Sequence, residues 1–139
     1  MAGVVCLQDG DDIPNSDHVL RYCSPRHVMY GAIIETAFEL RGSDSYLSVN
    51  WLEHFSGNTC QRLQSIRDSI AIKLSPSGRF AMIPVVEAKG NIENLQIKYH
   101  PTPTDNSHAG IYFSGSEQNL EQTLELANIA ANNQSFLSA

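Results

Sequence analysis

Apolar and polar residues alternate along several short stretches of the chain, as they do in β-strands that bury one face. The first stretch covers residues 17–23. The next two cover residues 33–40 and 46–51, and the breaker-rich sequence RGSDS lies between them. We therefore predict a strand at 17–23 and a β-hairpin formed by the other two stretches. In the second arm of this hairpin, the residues predicted to face inward are Leu47, Val49 and Trp51.

Two other stretches have the three-to-four-residue apolar spacing of a helix that packs along one side. In the first, Asn58 and Gln61 are spaced as an approximate capping box, which predicts a helix over residues 59–69. The second helix is predicted to begin near Ser114 or Ser116, since either serine can cap it. The residues predicted to form its buried stripe are Leu120, Leu124, Ala127 and Ala131.

The region between the two helices is predicted to be mostly extended. Residues 70–74 favour a strand, and residues 79–88 form the most apolar run of the chain. Pro84 lies within that run and cannot donate a ladder hydrogen bond, so this strand is expected at a sheet edge or at a bulge. A turn at 89–91 leads to a further strand, and residues 109–113 favour a short last strand. The inward residues of the further strand are predicted to be Leu95, Ile97 and Tyr99.

This order of elements predicts an α+β fold, in which a mostly antiparallel mixed sheet is covered on one face by two helices. The 139 residues suffice for one domain, which we place at 18–132. An N-terminal arm and loop at 1–17 is predicted to precede it, and a frayed tail at 133–139 to follow it. The residues predicted to be mostly buried are Phe38, Val49, Trp51, Ile66, Ile83, Ile97, Leu120 and Leu124.

The composition and charge of the chain argue against several classes of function. Hydrophobic residues make up 42% of the chain and charged residues 17%, which supports a real core. The net charge of −6, without any cluster of Lys or Arg, argues against general nucleic-acid binding and against an anionic membrane surface. No stretch approaches the ~18 apolar residues that a membrane helix needs. We therefore expect a protein partner and leave the oligomeric state open.

The cysteines and the N-terminus indicate a cytoplasmic location. Cys6, Cys23 and Cys60 are an odd number of widely spaced thiols without a CxxC pair, so we expect all three to stay free in a reducing compartment. The opening sequence MAGVVCLQDGDD lacks the basic region of a signal peptide.

The stretch YHPTPTDNSHAGIYFS, at residues 99–114, is the densest cluster of chemically capable side chains. Pro101 and Pro103 restrict φ and exclude a helix, so we expect an ordered loop. The candidate site residues in this loop are His100, Asp105, Ser107 and His108.

Three of these side chains belong to types that bind divalent transition metals, namely His100, Asp105 and His108. Their spacing, H-x4-D-x2-H, matches no established zinc signature, so we expect neither a metal nor a cofactor. In the alternative interpretation, Asp105 accepts a hydrogen bond from the backbone N–H of Ser107 and stiffens the loop.

His108 is the best single candidate for a catalytic residue. Ala109 and Gly110 follow it and leave room for a ligand to approach. The competing hypothesis is that His108 only satisfies a buried carbonyl. A nucleophilic pair of Cys23 with His108 or His27 stays open, because such partners meet only in the fold. The alternative for Cys23 is a small core residue.

A second candidate cluster is formed by His18, Arg21 and Tyr22 in the first predicted strand. Arginine offers a planar fork of donors, so it is common in anion and nucleotide sites. The alternative is that Arg21 pairs with a carboxylate such as Glu53 or Asp17 and only orients the strand.

The segments DHVLRYCSP, AFELR, YLSVNWLE and the pattern P-x-P-x-D-N-SHAGI give the chain a resemblance to a known group of proteins. Over residues 12–112 it resembles a family of small, uncharacterised bacterial proteins. The resemblance implies a role among defence or mobile genes, and it assigns no catalytic residue.

Two hypotheses of function follow from these patterns. In the first, the chain is a small cytosolic interaction or accessory protein that acts with a larger partner, in a bacterial defence system. In the alternative, it is a hydrolase or transferase that acts on a nucleotide or phosphodiester. There His18 and Arg21 would meet His100 and His108 in one cleft, with a histidine as general acid or base and Arg21 on a phosphate.

Overall fold

A computed structural model describes residues 7–41, 44–70, 74–75, 77–113, 118 and 120–132. The strands within these residues are β1 His18–Cys23, β2 Val28–Met29, β3 Ala32–Ile33, β4 Leu47–Trp51, β5 Arg79–Pro84, β6 Gln96–Tyr99 and β7 His108–Tyr112. The α-helices are α1 Thr59–Ser69, α2 Val85–Asn91 and α3 Leu120–Asn132. Short 3-10 helices cover Pro25–His27, Glu35–Phe38 and Leu52–His54.

Five strands form one sheet in the order β5-β1-β4-β7-β6, and every pairing in it is antiparallel. Strands β2 and β3 form a separate antiparallel pair. The structure confirms the predicted α+β class. One row of partners crosses the three central strands, from Leu20 through Asn50 to His108. Because direct partners point to the same side of a sheet, these three side chains share one face.

The sheet has helices on both of its faces, so the prediction of two helices on one face is wrong. Helix α1 packs Leu63 and Ile66 against Leu20 and Phe80, which define the α1 face. The opposite face, which carries Val19 and its neighbours, packs against α2 and α3. Both sides of β1 are therefore buried, which simple alternation does not reveal.

Several local predictions are confirmed. Helix α1 begins and ends where the sequence predicted, and its capping box is present in both directions. The Asn58 side chain accepts from the backbone N–H of Gln61 at 2.9 Å, and the Gln61 side chain accepts from that of Asn58 at 2.8 Å. Pro84 ends β5, which is an edge strand as expected. The predicted core residues Phe38, Val49, Trp51, Ile66, Ile83 and Ile97 are buried.

The predicted hairpin of 33–40 with 46–51 is wrong. Residues Glu35–Phe38 form a 3-10 helix, and Ala32–Ile33 pairs with Val28–Met29 instead. Strand β4 lies between β1 and β7. The alternation misled because Ala37 and Phe38 are adjacent in sequence and both buried, as a tight helical turn allows and a one-sided strand does not.

The segment after Pro84 is a helix and not the predicted strand and turn. Helix α2 covers Val85–Asn91, with Val85 and Ala88 buried at helical spacing. Helix α3 is also turned relative to the prediction, since Leu120 is 62% exposed and Leu124 is 47% exposed. Its buried residues are Thr123, Leu126, Ile129 and Ala130.

The chain before β1 runs along the outer edge of β6. Ile13 donates its backbone N–H to the carbonyl of Ile97 at 2.9 Å, and Tyr99 donates to the carbonyl of Asp11 at 2.8 Å. The Ile13 side chain is buried in the core. The predicted domain boundaries stay predictions, and the predicted tail at 133–139 lies outside the described residues.

Other predictions also fall on residues that the structure does not describe. The cap at Ser114 or Ser116 and most of the strand predicted at 70–74 are among them. In the described part of the chain, no helix combines the length and the apolar character that crossing a membrane requires.

Candidate functional site

The α1 face is only half covered, and its open half contains a cavity of about 280 Å³. Helix α1 packs over β5 and β1, whereas the same face of β4 and β7 carries the polar side chains Ser48, Asn50 and His108. We call this space the histidine cavity. Its lining residues are Arg21, Tyr22, Ser48, Asn50, Ile70, Thr102, Thr104, Asp105 and His108.

Within the polar stretch predicted at 99–114, β7 begins at His108, and residues 100–107 form the tip of the β6–β7 hairpin. Asp105 organises it, because its carboxylate accepts from the Asn50 side-chain amide at 2.8 Å, from the Ser107 hydroxyl at 2.9 Å and from the Ser107 backbone N–H at 3.2 Å. The last of these bonds was predicted and is confirmed. Ser107 is fully buried, so its hydroxyl stabilises the loop and cannot reach a ligand.

His108 keeps one ring nitrogen available. Its Nδ1 lies 2.8 Å from the backbone carbonyl of His100, and a carbonyl oxygen can only accept. Nδ1 therefore carries the proton in the neutral ring, and the lone pair is on Nε2. Nε2 has no hydrogen-bond partner among the described residues. The contacts therefore agree with both hypotheses about His108. Nδ1 satisfies a carbonyl, and Nε2 can act as a base.

Arg21 fills a gap between two strands. The β1–β4 register comprises only Val19 with Trp51 and Leu20 with Asn50. Beyond it, the Arg21 guanidinium donates from Nε to the carbonyl of Ala37 and from Nη1 to the carbonyl of Ser48, both at 2.6 Å. Its position between the strands is therefore fixed by the backbone.

No carboxylate of the described residues is hydrogen-bonded to Arg21. The expected alternative partners are engaged elsewhere: Glu53 binds His18, and Asp17 accepts from the Trp51 indole N–H at 2.8 Å. Burial lowers the pKa of the guanidinium below its ordinary value, because a cation loses hydration there. Two of its five N–H donors bind acceptors among the described residues, and the other three have no acceptor within that part of the chain.

The structure does not bring His18 or His100 into this cavity. His18 Nδ1 lies 2.6 Å from Glu53 Oε2. His100 is held by Asp9 at 2.6 Å and by the Tyr112 hydroxyl at 2.5 Å. Four of the candidate residues line the histidine cavity, namely Arg21, Tyr22, Asp105 and His108. Ser107 does not line it but is hydrogen-bonded to Asp105. His18 and His100 lie outside it.

The metal hypothesis finds no converging ligands. The loop side chains His100, Asp105 and His108 each make the separate hydrogen bonds given above. In the described ranges, no group of three or more His, Cys, Asp or Glu could hold a metal ion.

Cys23 is a core residue and not an activated nucleophile. It is 1% exposed, and burial raises the pKa of its thiol to about 12, so the thiolate is negligible near neutral pH. Cys23 and Cys60 are free thiols, as predicted, and Cys6 lies outside the described residues.

A second cavity of about 280 Å³ lies beside the first, and we call it the arginine cavity. Burial, then the charges of Arg26, Arg21 and Arg41, lower the pKa of His27 at this cavity, against a weaker opposing effect of Glu39. Its lining residues are Arg21, Tyr22, Ser24, His27, Glu39, Arg41, Asp44, Leu47 and Ser48.

Sequence reasoning missed the arginine cavity and also the role of Asn50. One signal was present, because Ser48 and Asn50 put polar side chains on the outward face of a strand whose other face is apolar. The arginine cavity carries no such signal, since its residues outside β1 and β4 come from the segments 24–27 and 39–44, which meet these strands only in the fold.

Comparisons of the chain with known protein families, with curated proteins and with solved structures found no match. The resemblance to a bacterial family therefore stays a prediction.

Proposed function

We propose that this chain binds a small phosphate-bearing molecule, of the nucleotide or phosphodiester class, in the histidine cavity. We further propose that His108 acts there as a general acid and base in hydrolysis or group transfer. One observation carries the proposal: Arg21, with no described carboxylate hydrogen-bonded to its desolvated guanidinium, lines the same cavity as His108, whose Nε2 has no described hydrogen-bond partner.

The buried positive charge of Arg21 favours an anion as the ligand. A desolvated cation is costly unless a group of opposite charge or several acceptors compensate it. Two backbone carbonyls and the charge of Asp44 compensate Arg21 in part, and the two hydrogen bonds fix the plane of the guanidinium. A phosphate presents several oxygens and suits bidentate binding by arginine. We therefore place the phosphate at Arg21.

The chemistry requires only one titrating side chain in the first step. A water molecule or an acceptor hydroxyl attacks phosphorus, and the proton it loses goes to Nε2 of His108 as the new P–O bond forms. The bond to the leaving oxygen breaks, and that oxygen takes the proton back from the imidazolium. Arg21 balances the charge that develops on the non-bridging oxygens.

His108→Gln tests the proposal directly. Glutamine keeps a donor for the His100 carbonyl but cannot titrate, so the fold should stay intact while hydrolysis falls at least ~100-fold. The measurement is release of nitrophenolate from bis(p-nitrophenyl) phosphate, together with a thermal melt of each variant. His100→Gln is the matched control, since His100 lies outside the cavity, and it should keep its turnover. Wild-type turnover in both variants, or no binding of any phosphate ester by the wild-type chain, would exclude the proposal.

A second candidate function is the interaction or accessory protein, which acts in the cytoplasm with a larger partner. One observation favours it: Tyr30 is fully exposed at the tip of the β2–β3 hairpin, beside the half-exposed Met29. Tyr30 has φ of 53° and Gly31 has φ of 79°, as in a type I′ turn, and a bulky aromatic residue is rare at that position. Exposed tyrosines commonly anchor protein interfaces.

Tyr30→Asn tests this second function, because asparagine accepts a positive φ and removes the ring. Pull-down from the native host, followed by mass spectrometry, should recover a specific partner with the wild-type chain and lose it with Tyr30→Asn. Recovery of the same proteins by both baits, or of the chain alone, would argue against it. A defence system is the partner's expected context only through the resemblance given above.

A further inference from the structure

The histidine and arginine cavities meet at Arg21. Three residues line both of them, namely Arg21, Tyr22 and Ser48. Two backbone carbonyls hold the guanidinium of this shared residue, and Arg21 borders both cavities. A phosphate bound to Arg21 would therefore have two separate spaces next to it.

We propose that the ligand is a phosphodiester, whose phosphate lies at Arg21 and whose two substituents occupy the two cavities. The inference rests on the proposed function, and it specifies the class of phosphate ester. Each cavity, at about 280 Å³, is near the lower limit of ~300 Å³ for a small-molecule site, so each suits one ring-sized group. A phosphomonoester has one substituent and would leave one cavity empty.

The two cavities differ in chemistry, which assigns the substituents. Tyr22 borders both cavities, and the histidine cavity adds the apolar side chain of Ile70, against which the face of a planar base or aryl group can pack. The arginine cavity carries donors on Arg41 and His27 and acceptors on Glu39 and Asp44. Such a mixed lining suits a hydroxyl-rich group such as a ribose.

The charge of the whole chain limits the size of the ligand. The net charge is −6, so the chain as a whole would repel a polymer of phosphates. A diester with a single phosphate places its one negative charge at the desolvated guanidinium. We therefore assign a dinucleoside monophosphate, or a compound of similar charge and size, as the ligand class.

The test compares a dinucleoside monophosphate with the matching mononucleotide by isothermal titration calorimetry. The wild-type chain should bind the dinucleoside monophosphate at least ~10-fold more tightly, because only this ligand fills the arginine cavity. Arg41→Gln should remove this advantage, so that the ratio of the two affinities falls to about one. Arg67→Gln is the control, since it removes the same charge from an exposed position on α1 that lines neither cavity.

A second readout follows the arginine cavity itself. Two-dimensional NMR should show the His27 ring resonances shifting with the dinucleoside monophosphate and not with the mononucleotide. Equal affinity of the wild-type chain for both ligands, or equal weakening of both by Arg41→Gln, would overturn the diester assignment and leave the proposed function standing. Failure of the wild-type chain to bind either ligand would overturn both proposals.

Discussion

The two halves of the α1 face show how one surface can be divided between stability and binding. Over β5 and β1, the face carries Leu20, Phe80 and Met82 and is covered by α1. Over β4 and β7 it carries Asn50 and His108, and no described helix packs there. Adjacent strands lie only about 4.8 Å apart, so the change takes place within a single row of partners. The site therefore lies directly beside the part of the core that α1 covers.

Hydrogen bonds and aromatic contacts hold the open half of the α1 face in place. Asn50 and Ser107 secure Asp105 by hydrogen bonds, and the Tyr46 ring lies over the backbone at Gly110. The centroid of the Tyr46 ring is 5.9 Å from that of His108. It is also close to the rings of His100 and Tyr112, at 5.2 and 5.3 Å. Polar and aromatic contacts here replace the helix that covers the other half.

Removing a large side chain from the covered half should have the largest effect on stability. Phe80 is fully buried between β1 and α1, so Phe80→Ala should lower the free energy of unfolding by about 3–5 kcal/mol. Urea unfolding followed by circular dichroism measures the loss. Leu124→Ala, at an exposed position on α3, should change it by less than about 1 kcal/mol. Similar urea midpoints for the two variants would contradict the division of the α1 face into a stabilising half and a binding half.

Asn50→Ala should affect both stability and binding, since Asn50 connects the covered and open halves. The change removes the donors to Asp105 and to the buried Ser107, which should cost about 2 kcal/mol. Phosphate-ester affinity should also fall, because the hairpin tip loses its support. Ser48→Ala alters the exposed neighbour in the same strand and should change stability little. Unchanged loop resonances in Asn50→Ala would show that Asp105 is held by other groups.

Gly110→Ala tests whether the Tyr46 ring acts as the cover of the open half. An added Cβ would lie 2.5 Å from Tyr46 Cδ2, so the ring must move, at a cost of about 1–3 kcal/mol. Gly90→Ala is the control, because a Cβ there meets nothing within 4 Å. Tyr46→Ala combined with Gly110→Ala should cost less than the sum of the single changes. Strict additivity would mean that the two groups do not touch.

The pH dependence of stability should show a smaller effect at His54, which packs against Trp51 and Tyr99. Burial lowers the pKa of His54, although the Asp105 carboxylate partly opposes this shift. The unfolded chain binds a proton at this histidine near pH 6.5, whereas the folded chain binds it only at lower pH. Stability should therefore decline as the pH falls through about 6.5.

His54→Phe removes this titration and should flatten part of the decline between pH 7.5 and 5.5 in urea unfolding. His27 should account for another part, because burial also lowers its pKa. An identical pH slope in wild type and His54→Phe would show that His54 is solvated in the same way in both states.

The elements that the sequence predicted correctly are those whose signals are local. The capping box of Asn58 and Gln61 and the alternation in β1 depend on neighbours within a few residues. The secondary structure of residues 33–40 and the orientation of α3 depend on which distant surface packs against them. Residue type alone identified Arg21 and His108 as candidates. Their joint placement could not be predicted, because it follows from the register that links Leu20, Asn50 and His108.

The segment at residues 10–13 has a consequence for how the chain behaves at high concentration. An uncovered edge strand offers free N–H and C=O groups to any other strand, and neighbouring chains can then join edge to edge. Asp11 and Ile13 already occupy this position on β6, while Pro84 blocks a donor on β5 at the opposite edge. Asp11 and Ile13 thus cover the β6 edge, whereas Pro84 removes only one donor from β5. The residues that precede β1 are therefore expected to hinder edge-to-edge association through β6.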